Sequence, residues 1–219
     1  YLCQLAGWTA SYFPDVVVPA ELPESYTAFK SQQFRWAKGS VQTALKIMPR
    51  VMRSEASLFA KVQAFLHMTH YCIHPLMALM ALLALPVLLN TDITLSAWQF
   101  MPFALTILIA MTGPSALYCV SQFSQGRSKG WSLLHLPGLV CIGVGIALSN
   151  TRAVFEAFAG VTSPFVRTPK SGDKKKTYRT KANWFPALEL LMGVYCAFSF
   201  TQYLQAEKYL VGPFLLIYT

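Results

Sequence analysis

The chain has 219 residues, 54% of them hydrophobic and 12% charged, with a mean hydropathy of +0.42 and a formal net charge of +9. That balance excludes an ordinary soluble domain, because several apolar runs are long enough to meet a bilayer. It also argues against a nucleic-acid partner. Apart from Lys208, every Lys and Arg falls within residues 1–68, 121–131 or 150–184. Those segments flank apolar runs, as cytoplasmic loops do, and no nucleic-acid reading module accompanies the charge.

Residues 1–22 carry short mixed runs, including the β-branched Val16–Val18 between Asp15 and Pro19, and predict the end of a soluble α/β region. The chain opens on Tyr1 and closes inside the apolar run YLVGPFLLIYT, so it is read as a piece of a longer protein. No charged stretch followed by a short apolar core and a small-residue cleavage site is visible, so no secretory signal is predicted. Pro23, Glu24 and Ser25 mark a helix start and Gly39 a stop, which predicts a first helix over 26–38. VQTALKIM, ended by Pro49, and SLFAKVQAFLHM follow as two further amphipathic helices suited to the membrane interface.

Four apolar segments come next, at roughly 68–89, 98–120, 132–149 and 185–204, with a fifth beginning near Tyr209. If all were full crossings, the basic stretch from Arg152 to Lys181 would lie outside, against the positive-inside bias. The third segment also packs His135, Pro137, Gly138, Gly143 and Gly145 into few residues, and irregular backbone survives at membrane depth only where protein or a wet cavity satisfies it. Residues 133–160 are therefore read as an interfacial or re-entrant helix that starts and ends in the cytoplasm. The fold class expected is mainly α: a helical membrane protein with amphipathic interface helices and a multi-helix channel bundle.

Chemistry concentrates in two stretches. In SQQFRWAKGS, Gln32, Arg35 and Trp36 stand at i, i+3 and i+4, which puts an amide, a guanidinium and an indole on one helical face. In SPFVRTPK, Phe165, Arg167, Thr168 and Lys170 lie in a basic loop beside the membrane. Either stretch alone fits an interfacial anchor as well as a binding site. Lys38 offers positive potential or simply snorkels, and snorkelling is favoured. The run Asp173-Lys-Lys-Lys is expected to be a solvated, lipid-facing patch rather than a phosphate site.

Three histidines invite a metal reading. His67, His70 and His74 recur at i, i+3 and i+7 on one helical face, yet no carboxylate or thiol joins them in sequence, so a polar stripe at the membrane boundary is expected instead. Five widely spaced cysteines without a CxxC pair read as small apolar residues, not as a disulfide framework or zinc site.

The first stretch resembles the Q-x-x-R-W motif of processive family 2 glycosyltransferases, the group of cellulose, glucomannan and hyaluronan synthases. QLAGW, Asp15 and ELPESY ahead of it are similar to a run in cellulose synthase-like enzymes. FVRTPK resembles their gating loop F-x-V-T-x-K, departing at Arg167 where the pattern has Val, and TRAVFEAFAG stands where an interfacial helix is expected. The resemblance implies an upstream GT-A catalytic domain carrying the base and the acids that hold a divalent cation, Mg or Mn, so no catalytic residue is expected within this chain.

Its domain organisation would be 1–22 as the remnant of that domain, 23–67 as interface helices with the QxxRW motif, and 68–131 as two transmembrane helices. Residues 132–184 would form the interfacial helix and gating loop, and 185–219 a further span and the start of another. Gln32, Arg35 and Trp36 would meet the acceptor glycan and donor diphosphate; Phe165, Arg167, Thr168 and Lys170 would meet the nucleotide diphosphate. The implied activity is an inverting β-hexosyl transfer from a UDP- or GDP-hexose to a growing glycan, translocated through a multi-pass protein of a bacterial plasma membrane, among membrane lipids and with the motifs cytoplasmic. The isolated piece would be inactive. A non-processive glycolipid glycosyltransferase and a non-catalytic transporter or channel subunit are the alternatives.

Overall fold

A computed structural model describes residues 1–23, 25–90, 97–164, 184–207 and 215–217. The described residues form helices α1 (Leu2–Leu5), α2 (Tyr26–Arg53), α3 (Leu58–Thr69), a 3-10 turn (His70–Cys72), α4 (Ile73–Asn90), α5 (Ala97–Ser124), α6 (Lys129–Leu134), α7 (Leu136–Gly145), α8 (Ala147–Phe158) and α9 (Phe185–Gln205). The chain is mainly helical. Val16–Val18, expected at the end of an α/β region, are exposed and lie in irregular chain rather than a strand.

Two compact units divide the chain. The first comprises Tyr1–Met80 and Ile146–Glu189. Its axis is α2, which starts where the sequence placed it: the Ser25 hydroxyl accepts the Ala28 N–H at 3.2 Å, satisfying one orphan donor of the first turn. The helix then runs on through Gly39 and Pro49 to Arg53, so the two helices expected at 26–38 and 41–48 are one. Gly39 costs only about 1 kcal/mol within a helix. Against that, Ala37, Val41, Ala44 and Val51 recur as one buried stripe. Val41 packs on Val154 and Ala157 of α8, while Ala44 and Val51 pack on Ala64 and Met68 of α3. Burying the Val41 side chain alone stabilises by about 1.5–3 kcal/mol, which offsets the glycine.

At the end of α8, Gly160 adopts φ +68°, the left-handed conformation that favours glycine. Gly160 N–H then donates to the Ala157 carbonyl at 3.2 Å and Val161 N–H to the Glu156 carbonyl at 2.9 Å, a paired arrangement that stops the helix.

The second unit comprises Ala81–Gly145 and Leu190–Thr219. Here α4 and α9 share neutral hydrogen bonds. Pro86 lies inside α4 and has no N–H to give the carbonyl four residues earlier, which belongs to Leu82. The Tyr195 hydroxyl donates to that carbonyl at 2.6 Å. A second phenol, from buried Tyr203, donates to the Ala84 carbonyl at 2.8 Å.

Among the described residues one helical run, Leu58–Asn90, is long and apolar enough to cross a bilayer; counting the broken pair Lys129–Gly145 and Ala147–Phe158 as one span gives two. The 18 residues of α4 rise about 27 Å, close to the hydrocarbon thickness of about 30 Å. The third apolar segment is interrupted at His135 and again at Ile146, consistent with its Pro and Gly content.

Candidate functional site

Gln32, Arg35 and Trp36 all stand on α2, the helix most firmly fixed within the first unit. The buried stripe of α2 dictates which way they point. Ala37 and Lys38 turn inward, while the indole of Trp36 remains 54% exposed and Gln32 and Arg35 are half-buried. An indole can stack on a ring and a guanidinium can pair with an oxyanion.

Lys38 departs from the expected snorkelling. It is 5% exposed, and its Nζ donates to the Glu156 carboxylate at 2.7 Å and to the Ser163 hydroxyl at 2.5 Å. Glu156 also accepts from Arg152 Nε at 2.8 Å, one turn earlier on α8. Burial pushes the Glu156 carboxyl up, but the hydrogen bonds and charges of Lys38 and Arg152 outweigh it and hold it below the usual carboxylate range.

A second ionic contact lies two turns earlier on α2. Lys30 pairs with Glu189 of α9, and its ammonium sits 5.8 Å from the centre of the Phe185 ring. The Arg152 guanidinium approaches the same ring at 5.5 Å and reaches Phe34 of α2 at 5.8 Å, distances at which cation and ring attract. Nearby, burial and then the Glu189 carboxylate raise the Tyr26 phenol above its ordinary pKa.

The three histidines do not converge. The 3-10 turn at His70–Cys72 breaks the single helical face assumed for them. His67 Nδ1 shares a hydrogen bond with the Tyr1 hydroxyl at 2.9 Å, His70 Nδ1–H donates to the His67 carbonyl at 2.6 Å, and His74 Nε2 meets the amide of buried Asn150 at 2.9 Å. The last contact ties α4 to α8. Among the described residues no group of three His, Cys, Asp or Glu side chains could hold a metal ion. Phe165, Arg167, Thr168 and Lys170, like the Lys174–Lys176 run, lie outside the described residues.

A cleft of about 1110 Å³ opens elsewhere in the first unit, between the first ten residues and α3, lined by Tyr1, Gln4, Trp8, Gln63 and His67 among others. None of Gln32, Arg35 and Trp36 borders it.

Glu156, Arg152, Ser163, Lys30 and Glu189 were not singled out from sequence. One signal was available: Glu156 and Glu189 are isolated acids within apolar stretches of a chain that has only nine acidic residues. An isolated carboxylate in such surroundings needs a cation.

Comparison with known proteins adds the following. The chain is 29% identical over 211 residues to glucomannan 4-beta-mannosyltransferase 7 of Arabidopsis thaliana, covering 89% of this chain and 35% of that protein. It is 24% identical over 205 residues to the probable glucomannan 4-beta-mannosyltransferase 11 of the same plant, covering 87% and 44%. To the probable glucomannan 4-beta-mannosyltransferase 10 it is 25% identical over 140 residues. The chain is a homologue of these glucomannan mannosyltransferases. It spans roughly a third of the length of the first of them. No family model and no solved structure matches the chain.

Proposed function

We propose that the chain is the membrane-proximal part of a polysaccharide-synthesising, inverting family 2 glycosyltransferase, which elongates a glycan from a nucleotide-sugar donor and passes it across the membrane. The observation that carries this reading is the exposed Trp36 next to Arg35 on a rigidly packed helix, in a homologue of glucomannan mannosyltransferases. The indole offers a flat π-face to the C–H surface of a sugar ring at the acceptor end of the glycan. Arg35 carries a permanent charge in a planar fork suited to the diphosphate that leaves as the glycosidic bond forms. Gln32 both donates to and accepts from sugar hydroxyls.

Thr168 and Lys170 would supply a hydroxyl and an ammonium to the same diphosphate, with Phe165 and Arg167 beside them, so that donor binding orders the loop and product release frees it. The divalent cation belongs with the donor diphosphate and acids outside these residues. In this reading α4, α5 and α9 span the bilayer, residues 132–184 stay at the cytoplasmic face, and membrane lipids cover the exposed apolar faces.

The test is incorporation of radiolabelled sugar by the full-length protein in proteoliposomes, offered GDP-mannose and UDP-glucose in turn. Polymer made by the wild type and reduced at least about a hundredfold in Trp36→Ala and Arg35→Ala supports the reading, since losing a transition-state contact of this kind costs on that order. Polymer synthesis retained in both variants rejects it.

A further inference from the structure

Helix α2 contains no acidic residue, yet Lys30, Arg35, Lys38, Lys46, Arg50 and Arg53 all lie on it. The fold neutralises two of these: Lys30 pairs with Glu189 and Lys38 with Glu156. Lys46, Arg50 and Arg53 are exposed and make no ion pair among the described residues. They recur at i, i+4 and i+7, so they fall within about 60° of one another, on the side of α2 turned away from its buried Ala37, Val41, Ala44 and Val51. The helix dipole favours cations in a last turn, which accounts for Arg50 and Arg53 but not for Lys46, seven residues before the end. Glu55 is the one acid between Lys46 and Lys61.

The same spacing returns on α3 with the opposite chemistry. Leu58, Val62 and Phe65 stand at i, i+4 and i+7 with Phe59 beside them, and all four are exposed, while Ala64 and Met68 turn inward onto α2. The short connection from Ser54 to Ser57 keeps the basic and apolar faces close along the chain, and it is itself fixed. The Ser54 hydroxyl donates to the Val51 carbonyl at 2.6 Å, and the Ser57 hydroxyl caps α3 by accepting the Ala60 N–H at 3.3 Å.

The continuation of that apolar face decides what covers it. Leu58–Asn90 is one apolar helical run of 33 residues. At 1.5 Å per residue it extends about 50 Å, more than the roughly 40–45 Å of a bilayer with its headgroups. With α4 in the hydrocarbon, α3 and its elbow with α2 are left at headgroup depth, where apolar side chains meet the upper acyl chains and cations meet phosphate. Unpaired cations at that depth have their complement in a lipid of net negative charge, each such residue strengthening the attraction about fivefold. A zwitterionic headgroup carries its own ammonium and offers less.

We propose that the elbow between α2 and α3 is a binding surface for anionic phospholipid: Lys46, Arg50 and Arg53 meet the headgroup phosphate while Leu58, Phe59, Val62 and Phe65 lie against its acyl chains. This rests on the membrane placement of α4 above. It gives the helix that carries Gln32, Arg35 and Trp36 a hold on the bilayer surface at its far end, separate from its packing on α8.

The experiment is native mass spectrometry of the full-length protein in detergent, titrated with dioleoylphosphatidylglycerol and, separately, with dioleoylphosphatidylcholine, with a melting temperature recorded for each variant. The wild type is expected to bind the anionic lipid at least about tenfold more tightly. Arg50→Gln combined with Arg53→Gln should abolish that preference, Lys46→Gln should reduce it about fivefold, and Phe59→Ser combined with Phe65→Ser should weaken both lipids alike. Arg127→Gln, which removes an exposed cation outside the elbow, should leave the preference unchanged. Should the double Arg variant not fold, Lys46→Gln and Arg53→Gln decide singly by the same criterion. Equal wild-type affinity for the two lipids, a preference that survives the double Arg variant, or one that falls as far in Arg127→Gln overturns the inference. So does a dimer that Phe59→Ser disrupts at every lipid concentration, which would assign the apolar face to a second copy of the chain. Alkaline carbonate extraction of wild-type proteoliposomes separates the two readings. Protein released by carbonate removes the membrane placement and this inference together; protein that stays in the bilayer without preferring phosphatidylglycerol removes the inference alone.

Discussion

The α2–α8 seam and the α4–α9 seam are both held by side-chain hydrogen bonds, but of opposite kinds. Along the first, charges meet: Lys38 of α2 pairs with Glu156 of α8, which Arg152 one turn earlier on α8 also holds. Along the second, neutral phenols meet backbone carbonyls, Tyr195 at Leu82 and Tyr203 at Ala84. The difference fits the membrane placement proposed above. On that reading a helix facing lipid has no water to satisfy a carbonyl freed by a proline, and a neutral hydroxyl does so without carrying a charge into hydrocarbon. A helix at an aqueous face can hold ions, and ions give the stronger orientation.

The largest way to break that contrast is to strand one ion. Glu156→Leu removes the acceptor from buried Lys38, and the loss is expected to be about 3 kcal/mol, with Asp at the same position recovering part of it. Thermal unfolding in detergent followed by tryptophan fluorescence would register this as a drop of several degrees. Tyr195→Phe is smaller. It leaves the Leu82 carbonyl without its phenol and is expected to cost about 1–2 kcal/mol, with no dependence on salt. Equal salt sensitivity of the two variants would erase the distinction between the seams.

Acid separates them further. Because the folded state holds the Glu156 carboxyl below its ordinary value, the unfolded chain binds that proton more readily. The stabilisation is therefore fully present above the ordinary carboxylate pKa and is lost as pH falls through the lowered folded value. Melting temperature should decline over that acidic window in the wild type and decline less in Glu156→Gln, whereas Tyr195→Phe should follow the wild-type slope. The smallest effect expected is Gly160→Ala, about 1 kcal/mol from forcing a Cβ into φ +68°, measured in the same melts.

Local signals and distant ones were not equally legible in the sequence. Ser25 as the cap of α2, the helical reading of QQFRW and the interruption of the third apolar segment are local, and each could be read from a few neighbouring residues. The persistence of α2 through Gly39 and Pro49 could not, because it depends on Val41 meeting Val154, more than a hundred positions away. The same holds for Lys38: its four-carbon stem suits snorkelling, and only the fold brings Glu156 to it. His67, His70 and His74 failed as one face because a 3-10 turn shifts the register between α3 and α4, and nothing in HMTHYCIHP announces that turn. Of the candidate site, Gln32, Arg35 and Trp36 fall on one helix as expected; the FVRTPK half lies outside the described residues.

The central claim is that these two stretches work on one side of the membrane. Single cysteines at Ser31 and Ser171, placed in a variant from which Cys3, Cys72, Cys119, Cys141 and Cys196 have been removed, test it by labelling intact and permeabilised cells with a membrane-impermeant maleimide. Both positions are expected to resist labelling until the cells are permeabilised; labelling of Ser171→Cys from outside, with Ser31→Cys protected, would contradict the account.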